Sequence, residues 1–544
     1  MNALRVFLAL IGLATFGYSC KKNSSPAPEG KPDSLFVHTD GNLIKDGNGN
    51  PFLLRGVAFG NEVYSTNDVP LTHHSEIDYS RLRQMNMNAV RFYLNYRMFE
   101  SDNAPYTYKQ TGWSWIDKNI EWAKKQGVYL ILNMHFPQGG YQSQGNGDAL
   151  WNNLENQNRL TALWAAIAKK YKDEPTIVGY GLVNEPVPVN SLQQWQQLAQ
   201  RITNEIRKED RNHIVFVEKP IYIKNTGGED ANLNFPIIND DNVVYEFHYY
   251  DPIEYTHQLF DWAFPGDGGK YPDENILSYT EGSWYTATFN NPTLPTGNSN
   301  WAYFKGEKYK VTDAKIKVGL PALVGANVQG SVYFDDIVIK EYDAQNVFTG
   351  NILELNLDTR DGWNYWSSNN TGSAALSTQT GHGDNTSLYI TALTGDGNLS
   401  STRNLFVPVQ GNSYQICGWM KGENVAANAG CMLRIDFITT DQPIHGRDKE
   451  YLRERLKKHA EFGVQKNVPV YVGEFGTGTP CFANNKGGIL WVEDMLDLLK
   501  EYNLHFTYHS YHESSFGIYM SDNILPDPAA ANQELVNLFT EKLK

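Results

Sequence analysis

Short apolar runs alternate with segments of helical period along most of this chain, stop between Pro272 and Pro443, and then resume. The runs are Gly56 to Phe59, Ala89 to Leu94, Tyr129 to Met134, Ile177 to Val183, Ile214 to Val217, Val243 to Phe247, Val468 to Val472 and His505 to Tyr508. Near-continuous apolar text of this length suits parallel strands buried on both faces, and its alternation with helices is the pattern of an α/β architecture. One helix is read from Leu160, Leu163, Trp164, Ile167, Ala168 and Tyr171, with Pro175 beyond its end; another runs from Asp448 to Gly463, with Leu452, Leu456 and Ala460 on one stripe. Eight strands with intervening helices suit a closed (β/α)8 TIM barrel, whose active site lies on the loops after the strands.

The interrupting text consists of short strand-like pieces rich in Gly, Asn and Thr, such as Ser331 to Ile339 and Ser413 to Trp419. A structureless loop of that length does not fit a compact barrel, so the segment is read as an inserted β-sandwich in the loop after strand six. The expected organisation is 1–35 as leader and tether, 36–272 as the first part of the barrel, 273–443 as the insertion, and 444–544 as the rest of the barrel.

The leader places Arg5 before an apolar run from Val6 to Phe16 and then Gly17-Tyr18-Ser19-Cys20, the order of a secretory signal and too short to span a bilayer. It resembles a bacterial lipoprotein signal, which implies export and a membrane anchor through Cys20, at the periplasmic face or cell surface. An ordinary cleaved signal is the other reading. Lys21 to Pro28 is polar and Pro/Ser-rich, a tether. The formal charge of −15 argues against nucleic acid as a partner, because phosphate binding needs a basic surface. Four scattered cysteines form no metal motif; Cys417 and Cys431 could bridge neighbouring strands.

Two glutamates stand at the ends of apolar runs, Glu185 in Gly181-Leu182-Val183-Asn184-Glu185-Pro186 and Glu474 in Val470-Tyr471-Val472-Gly473-Glu474-Phe475-Gly476. In a barrel these ends, four and seven, lie on different sides of the mouth and can flank a bond held between them. Paired carboxyl groups, one protonated and one ionised, are what glycosidic cleavage requires, with no cofactor.

With Leu54-Arg55-Gly56-Val57, Asn88-Ala89-Val90-Arg91, Asn133-Met134-His135, Asn184-Glu185-Pro186, His248-Tyr249-Tyr250-Asp251-Pro252 and Gly473-Glu474-Phe475-Gly476 in order, each at a strand end, the chain resembles glycoside hydrolase family 5 over most of 36–272 and 444–544. The resemblance implies a retaining endo-β-glycosidase acting on a β-1,4-linked glucan-type polysaccharide, with Glu185 as acid/base and Glu474 as nucleophile. It further implies that Asn184 holds the sugar 2-hydroxyl, Arg91 and Tyr250 contact Glu474, His248 tunes Glu185 and His135 lines the subsite at the cleaved bond. The residues alone also allow Arg91 to be a salt-bridge residue of the mouth and His135 a satisfied polar core residue. The family's strand-eight Trp is absent, and His509 occupies its slot, with Tyr511 or an aromatic from another loop as further candidates. A β-mannanase or other hemicellulase is the nearest rival, and a non-catalytic glycan-binding protein the rival of another class.

The insertion resembles a carbohydrate-binding jelly roll, cut at a different loop so that its closing-like strand Phe334 to Ile339 precedes the opening-like text near Trp363 to Trp366. Trp301, Trp363, Trp366 and Trp419 are candidate stacking residues, against an equally weighted reading as core aromatics. Asp335 and Asp336 are candidate ligands for structural calcium.

Overall fold

The computed structural model describes residues 35–544 apart from 65–72, 227, 230–233, 265, 280–281 and 288–289. The leader and Cys20 therefore lie outside the described residues. Eight parallel strands close a barrel: β1 (Arg55–Phe59), β2 (Ala89–Asn95), β3 (Tyr129–Phe136), β4 (Ile177–Gly181), β5 (Ile214–Glu218), β6 (Val243–Tyr249), β7 (Val470–Phe475) and β8 (His505–Tyr508), with β8 paired to β1. The apolar runs located every strand, but β6 and β7 continue past them, which makes His248 and Glu474 strand residues.

The helices form where their apolar stripes meet the outside of the sheet. In the helix Leu154–Tyr171 the six residues that carry the helical period are all buried, and Asn153 caps its start by accepting the Glu155 N–H. The helix Leu192–Glu209 buries Trp195, Leu198, Ala199, Ile202 and Ile206 in the same way. One expected helix is missing. Between β5 and β6 the described residues form only the two-residue strands Tyr222–Ile223 and Gly228–Glu229, because the Gly- and Asn-rich text there has no apolar period.

The barrel floor is sealed. A hairpin of His38–Asp40 and Leu43–Lys45 brings Val37 and Ile44 against Leu54, Ile131, Val178, Phe216, Val244 and Tyr471, the inward residues at the strand starts. Only the opposite mouth can admit a ligand. At this floor His505 accepts the Leu54 N–H through Nδ1 at 3.2 Å, joining β8 to the chain before β1.

Burial lowers the imidazole of His505 to about 3 and that of His74, held against Asn119, to about 4. Both are bases whose folded values lie below the unfolded 6.5, so the unfolded chain takes the protons first and stability falls as pH drops below about 6.5. Between pH 6.5 and 5, where most unfolded carboxylates have yet to titrate, each histidine is expected to cost about 2 kcal/mol. Urea midpoints measured across that interval check this, and a flat profile would contradict it.

The insertion is a two-layer sandwich. One layer has the strand order Ser283–Thr286, Met432–Thr439, Ile316–Ala326, Asp396–Ser401, Trp363–Ser367, and the other Gly297–Lys305, Ser413–Val425, Ser331–Tyr342, Ser387–Thr391, Ser373–Ser377, all antiparallel. Val332, Phe334, Ile337, Leu399, Leu433 and Phe437 fill the space between them. Cys417 and Cys431 are free and buried; the bridge they could have made does not form, because Cys417 lies on a strand of the second layer and Cys431 leads into a strand of the first. The chain leaves and re-enters the barrel through a neck of paired strands, Asp273–Ser278 and His445–Arg447, with Ser278 opposite His445. Buried Arg447 pins this neck, donating to the Gly268 carbonyl at 2.5 Å and to Glu254 at 3.1 Å.

Candidate active site

Strand alternation sends one set of side chains to the helix layer and the other to the barrel axis. On β2, Val90, Phe92 and Leu94 pack outward, which turns Arg91 and Tyr93 inward. By the same alternation Asn133 and His135 on β3, Glu218 on β5, and Glu246 and His248 on β6 line the axis above the apolar floor. Glu474 reaches this face by a bulge. Val472 pairs with Phe247 and Glu474 with His248, so Gly473 is one extra residue that reverses the alternation and re-aims the carboxylate inward. No larger residue fits there, since a Cβ on Gly473 would lie 1.8 Å from Glu246 Oε1. Glu185 follows β4 with φ of 43°, a left-handed conformation uncommon for a non-glycine residue and found at functional sites.

Arg91 is fully buried and engages three carboxylates: Nη1 to Glu474 at 2.7 Å, Nε to Glu246 at 2.8 Å and Nη2 to Glu218 at 3.4 Å. Its Nη2 also donates to Asn184 Oδ1 at 2.9 Å. Glu474 accepts from Tyr250 at 2.9 Å and from the Tyr93 hydroxyl. His248 sits between the two candidate catalytic groups, with Nδ1 2.9 Å from Glu185 and 3.5 Å from Glu474. One oxygen of Glu185 and one of Glu474 lie within 4.8 Å of each other.

These contacts separate the protonation states of the groups. Burial alone would raise the Glu474 carboxyl, but the positive charges of His248, His509 and Arg91 outweigh it and hold Glu474 well below the usual carboxylate range. Burial works against a proton on His248, yet Glu218, Glu474 and Glu185 around it push the imidazole well above its ordinary value. For His135 burial outweighs the pull of Glu474 and holds the imidazole well below its ordinary value, as a neutral ring. Tyr93 is raised by burial and by Glu474, so it stays a donor.

All eight expected residues converge on this mouth. His135 stacks on Tyr93 at 3.9 Å and meets the Tyr64 hydroxyl at 3.0 Å. His509 meets Tyr93 at 3.0 Å and Glu513 at 3.3 Å, while Tyr511 turns away to Asp78, which removes it as a stand-in for the absent Trp. An aromatic rim of His257, Phe260, Phe516 and exposed Trp262 adjoins His509 and Tyr250. Tyr93, Glu218 and Glu246 were not read from the sequence. Glu218 ends an apolar run just as Glu185 and Glu474 do, and Tyr93 is two residues from Arg91 on one face, so both carried a signal.

Among the described residues, Glu185 with His248 and Glu474, and Glu218 with Glu246 and His248, lie close enough to share an ion. Arg91 already sets a fixed cation against Glu474, Glu246 and Glu218, and we assign no metal. In the insertion, Asp335 accepts the N–H groups of Asp336 and His382, and Asp336 meets His382 Nδ1 at 2.7 Å, so their oxygens face nitrogen donors. Trp363 is 6% exposed and fills the sandwich interior with Leu399, which decides between its two readings in favour of a core aromatic and against a stacking platform. Trp419 is covered by His382 at 3.7 Å, and Trp301 lies edge-on to the same ring.

Residues 46–312 match the model of the cellulase family, glycosyl hydrolase family 5, so the match ends inside the insertion and before β7. Endoglucanase C of Acetivibrio thermocellus is 30% identical over 192 residues, 35% of this chain and 54% of that protein. An endoglucanase of Paenibacillus polymyxa is 28% identical over 331 residues, covering 51% and 80%. Cellodextrinase A of Ruminococcus flavefaciens is 28% identical over 217 residues, covering 39% and 63%. The chain spans about half the length of the first of these curated relatives. Among solved structures, endoglucanase Cel5A of Thermotoga maritima aligns over 89% of this chain and 96% of its own with a TM-score of 0.46 and 16% identity.

Proposed function

We propose that this chain, whose family match supports a glycosyl hydrolase family 5 (cellulase) domain, is an exported endo-β-glycosidase that cleaves a β-1,4-linked glucan by a two-step retaining mechanism. The carrying observation is the approach of Glu185 and Glu474 to within 4.8 Å, the short separation that suits a nucleophile; an inverting pair needs about 6.5 to 9.5 Å to admit water. Glu474, ionised by its cationic neighbours, attacks the anomeric carbon while Glu185 protonates the departing glycosidic oxygen. Water, deprotonated by Glu185, then displaces Glu474 and returns the proton to Glu185. Asn184, held by Arg91, is placed to meet the sugar 2-hydroxyl as positive charge develops. Reducing-sugar release from a polysaccharide panel, with the product anomer read by NMR, tests this. Cleavage of mannan alone would move the substrate to the hemicelluloses, an inverted product would end the two-step mechanism, and no cleavage would leave a glycan-binding protein.

The insertion is read as a glycan-binding module. A cavity of about 970 Å³ lies between the outer face of its five-stranded layer and the barrel, lined by Trp284, Asn364, Trp366, Asn398 and Arg434, with Glu254 and Tyr451 opposite. Trp284 and Trp366 are 50% and 54% exposed and stand on the two edge strands of that layer, level with Val318 and Val324 of its central strand, so that about 19 Å of strand spacing and about 20 Å along the strand separate them. Asp436 neutralises Arg434 through two short contacts of 2.6 and 2.7 Å, which leaves neutral hydrogen-bonding groups between two aromatic faces. Replacing both tryptophans by alanine should weaken polysaccharide binding at least about tenfold, at roughly 1 kcal/mol or more per stacked ring, and spare turnover of a short aryl glycoside. Unchanged binding would remove the module reading.

The anchor through Cys20 completes the proposal. Cys20→Ala should move the protein from the membrane to the soluble fraction, since one lipid chain adds about 0.8 kcal/mol per buried methylene; unchanged fractionation would favour an ordinary signal.

A further inference from the structure

Below Glu185 and Glu474 lies a second pair of acids that the two-step reaction does not use. Glu218 and Glu246 are each 1% exposed, on adjacent strands, and their Oε1 atoms face His248 Nε2 at 3.4 and 3.7 Å. Glu218 Oε1 and His248 Nε2 are buried and make no hydrogen bond of good geometry, and Glu246 Oε1, 2.8 Å from Arg91 Nε, has that ion pair but no well-aligned hydrogen bond. Polar atoms in that condition are costly, so an arrangement that retains them in one place is under a requirement other than packing.

We propose that Glu246, with Glu218 beside it, is a positioning residue that keeps His248 doubly protonated between two carboxyl pairs, and so sets the pH range in which Glu185 and Glu474 work. This rests on the acid/base and nucleophile roles given above. Arg91 is one cation for Glu474, Glu246 and Glu218, and like charges in a dry interior cannot all be carried by a single guanidinium. Among the described residues, His248 is the only other basic group that touches both pairs, with Nδ1 toward Glu185 and Glu474 and Nε2 toward Glu218 and Glu246.

The remaining groups near the mouth leave this role to His248. His135 on β3 is neutral through burial, and His509, just after β8, has its own carboxylate in Glu513 at 3.3 Å. The two lower acids are not equivalent. Arg91 Nε sits 2.8 Å from Glu246, whereas its Nη2 is 3.4 Å from Glu218, so the guanidinium charge lies closer to Glu246 than to Glu218. Burial pushes the Glu218 carboxyl well up, in the same sense. A cationic His248 then favours the ionised state of both upper carboxylates: Glu474 before its attack, and Glu185 after it has given up its proton and must act as base.

The test is the pH dependence of kcat/KM for the full-length protein on a soluble β-glucan, together with the 15N titration of the His248 ring. Removing the Glu246 charge takes a proton from His248, so both upper carboxylates lose a cation and need higher pH to ionise. In Glu246→Gln both limbs of the profile should therefore move up by about one pH unit, with kcat falling about tenfold on the acidic side and KM within about twofold. Glu246→Asp should return at least half of the shift. Glu218→Gln, the shape of a protonated acid, should move the limbs less than half as far. A wild-type profile in Glu246→Gln, or an equal displacement in both glutamine variants, would overturn the proposal. Should Glu246→Gln not fold, the wild-type spectrum decides: a doubly protonated ring near neutral pH supports it and a neutral ring ends it. That spectrum needs no turnover, so an inactive wild-type chain would count against the catalytic reading without touching this measurement.

Discussion

Glu474→Ala is expected to reduce turnover of every substrate by at least about 10⁴-fold, with small anions such as azide restoring a measurable part of it. In the proposed mechanism this carboxylate attacks the anomeric carbon, and Tyr250, Tyr93 and Arg91 all spend hydrogen bonds on holding it in place. Alanine leaves that volume open below the sugar while Glu185 still protonates the leaving oxygen. An azide ion entering the space forms the new C–N bond from the nucleophile's face, and the product is a glycosyl azide of inverted configuration. Reducing-sugar release and NMR of the azide adduct check both halves. A variant with wild-type turnover would remove Glu474 from the chemistry.

Arg91→Met is expected to act on the fold as strongly as Glu474→Ala acts on the reaction. Removing one partner of a buried ion pair costs about 3 to 5 kcal/mol, and Arg91 serves several carboxylates with no exposure to water. The loss should be greatest near neutral pH and shrink as pH falls, because the stranded carboxyls can then take protons. Arg91→Lys should recover little, since one ammonium cannot reach the three acids that a guanidinium fork spans. Urea denaturation at several pH values measures this; a loss under about 1 kcal/mol would mean the acids are compensated from elsewhere.

The parts of this molecule that could be read from the chain are those governed by short-range pattern. Eight apolar runs gave eight barrel strands because burial on both faces leaves an unmistakable apolar text, and Glu185 and Glu474 stood out as charges closing such runs. What stayed hidden depended on contacts distant in sequence. The bulge at Gly473 exists only because β7 pairs with β6 across the whole insertion. Glu246 lies inside an apolar run and is tolerated there only because Arg91, far away in sequence, reaches it. Trp363 and Trp366 are three residues apart on one strand, so alternation puts them on opposite faces, but which face is interior is decided by the packing of a second layer. Trp284, on the opposite edge strand, could join Trp366 only once the strand order was known.

The neck has a consequence for how the chain is made. Because β7 and β8 follow the insertion, the first six strands leave the ribosome with β1 and β6 each paired on one side only, and at about 5 to 20 residues per second the segment between Ser278 and His445 takes roughly 10 to 30 seconds to synthesise. During that interval an open sheet with two bare edges is a template for pairing with another chain. The pairing of Ser278 with His445 brings the end of the insertion back to its start, so the last two strands emerge beside the gap they close. Export in an unfolded state would postpone this hazard to the far side of the membrane, where the sealing of the barrel would rest on how quickly the sandwich folds.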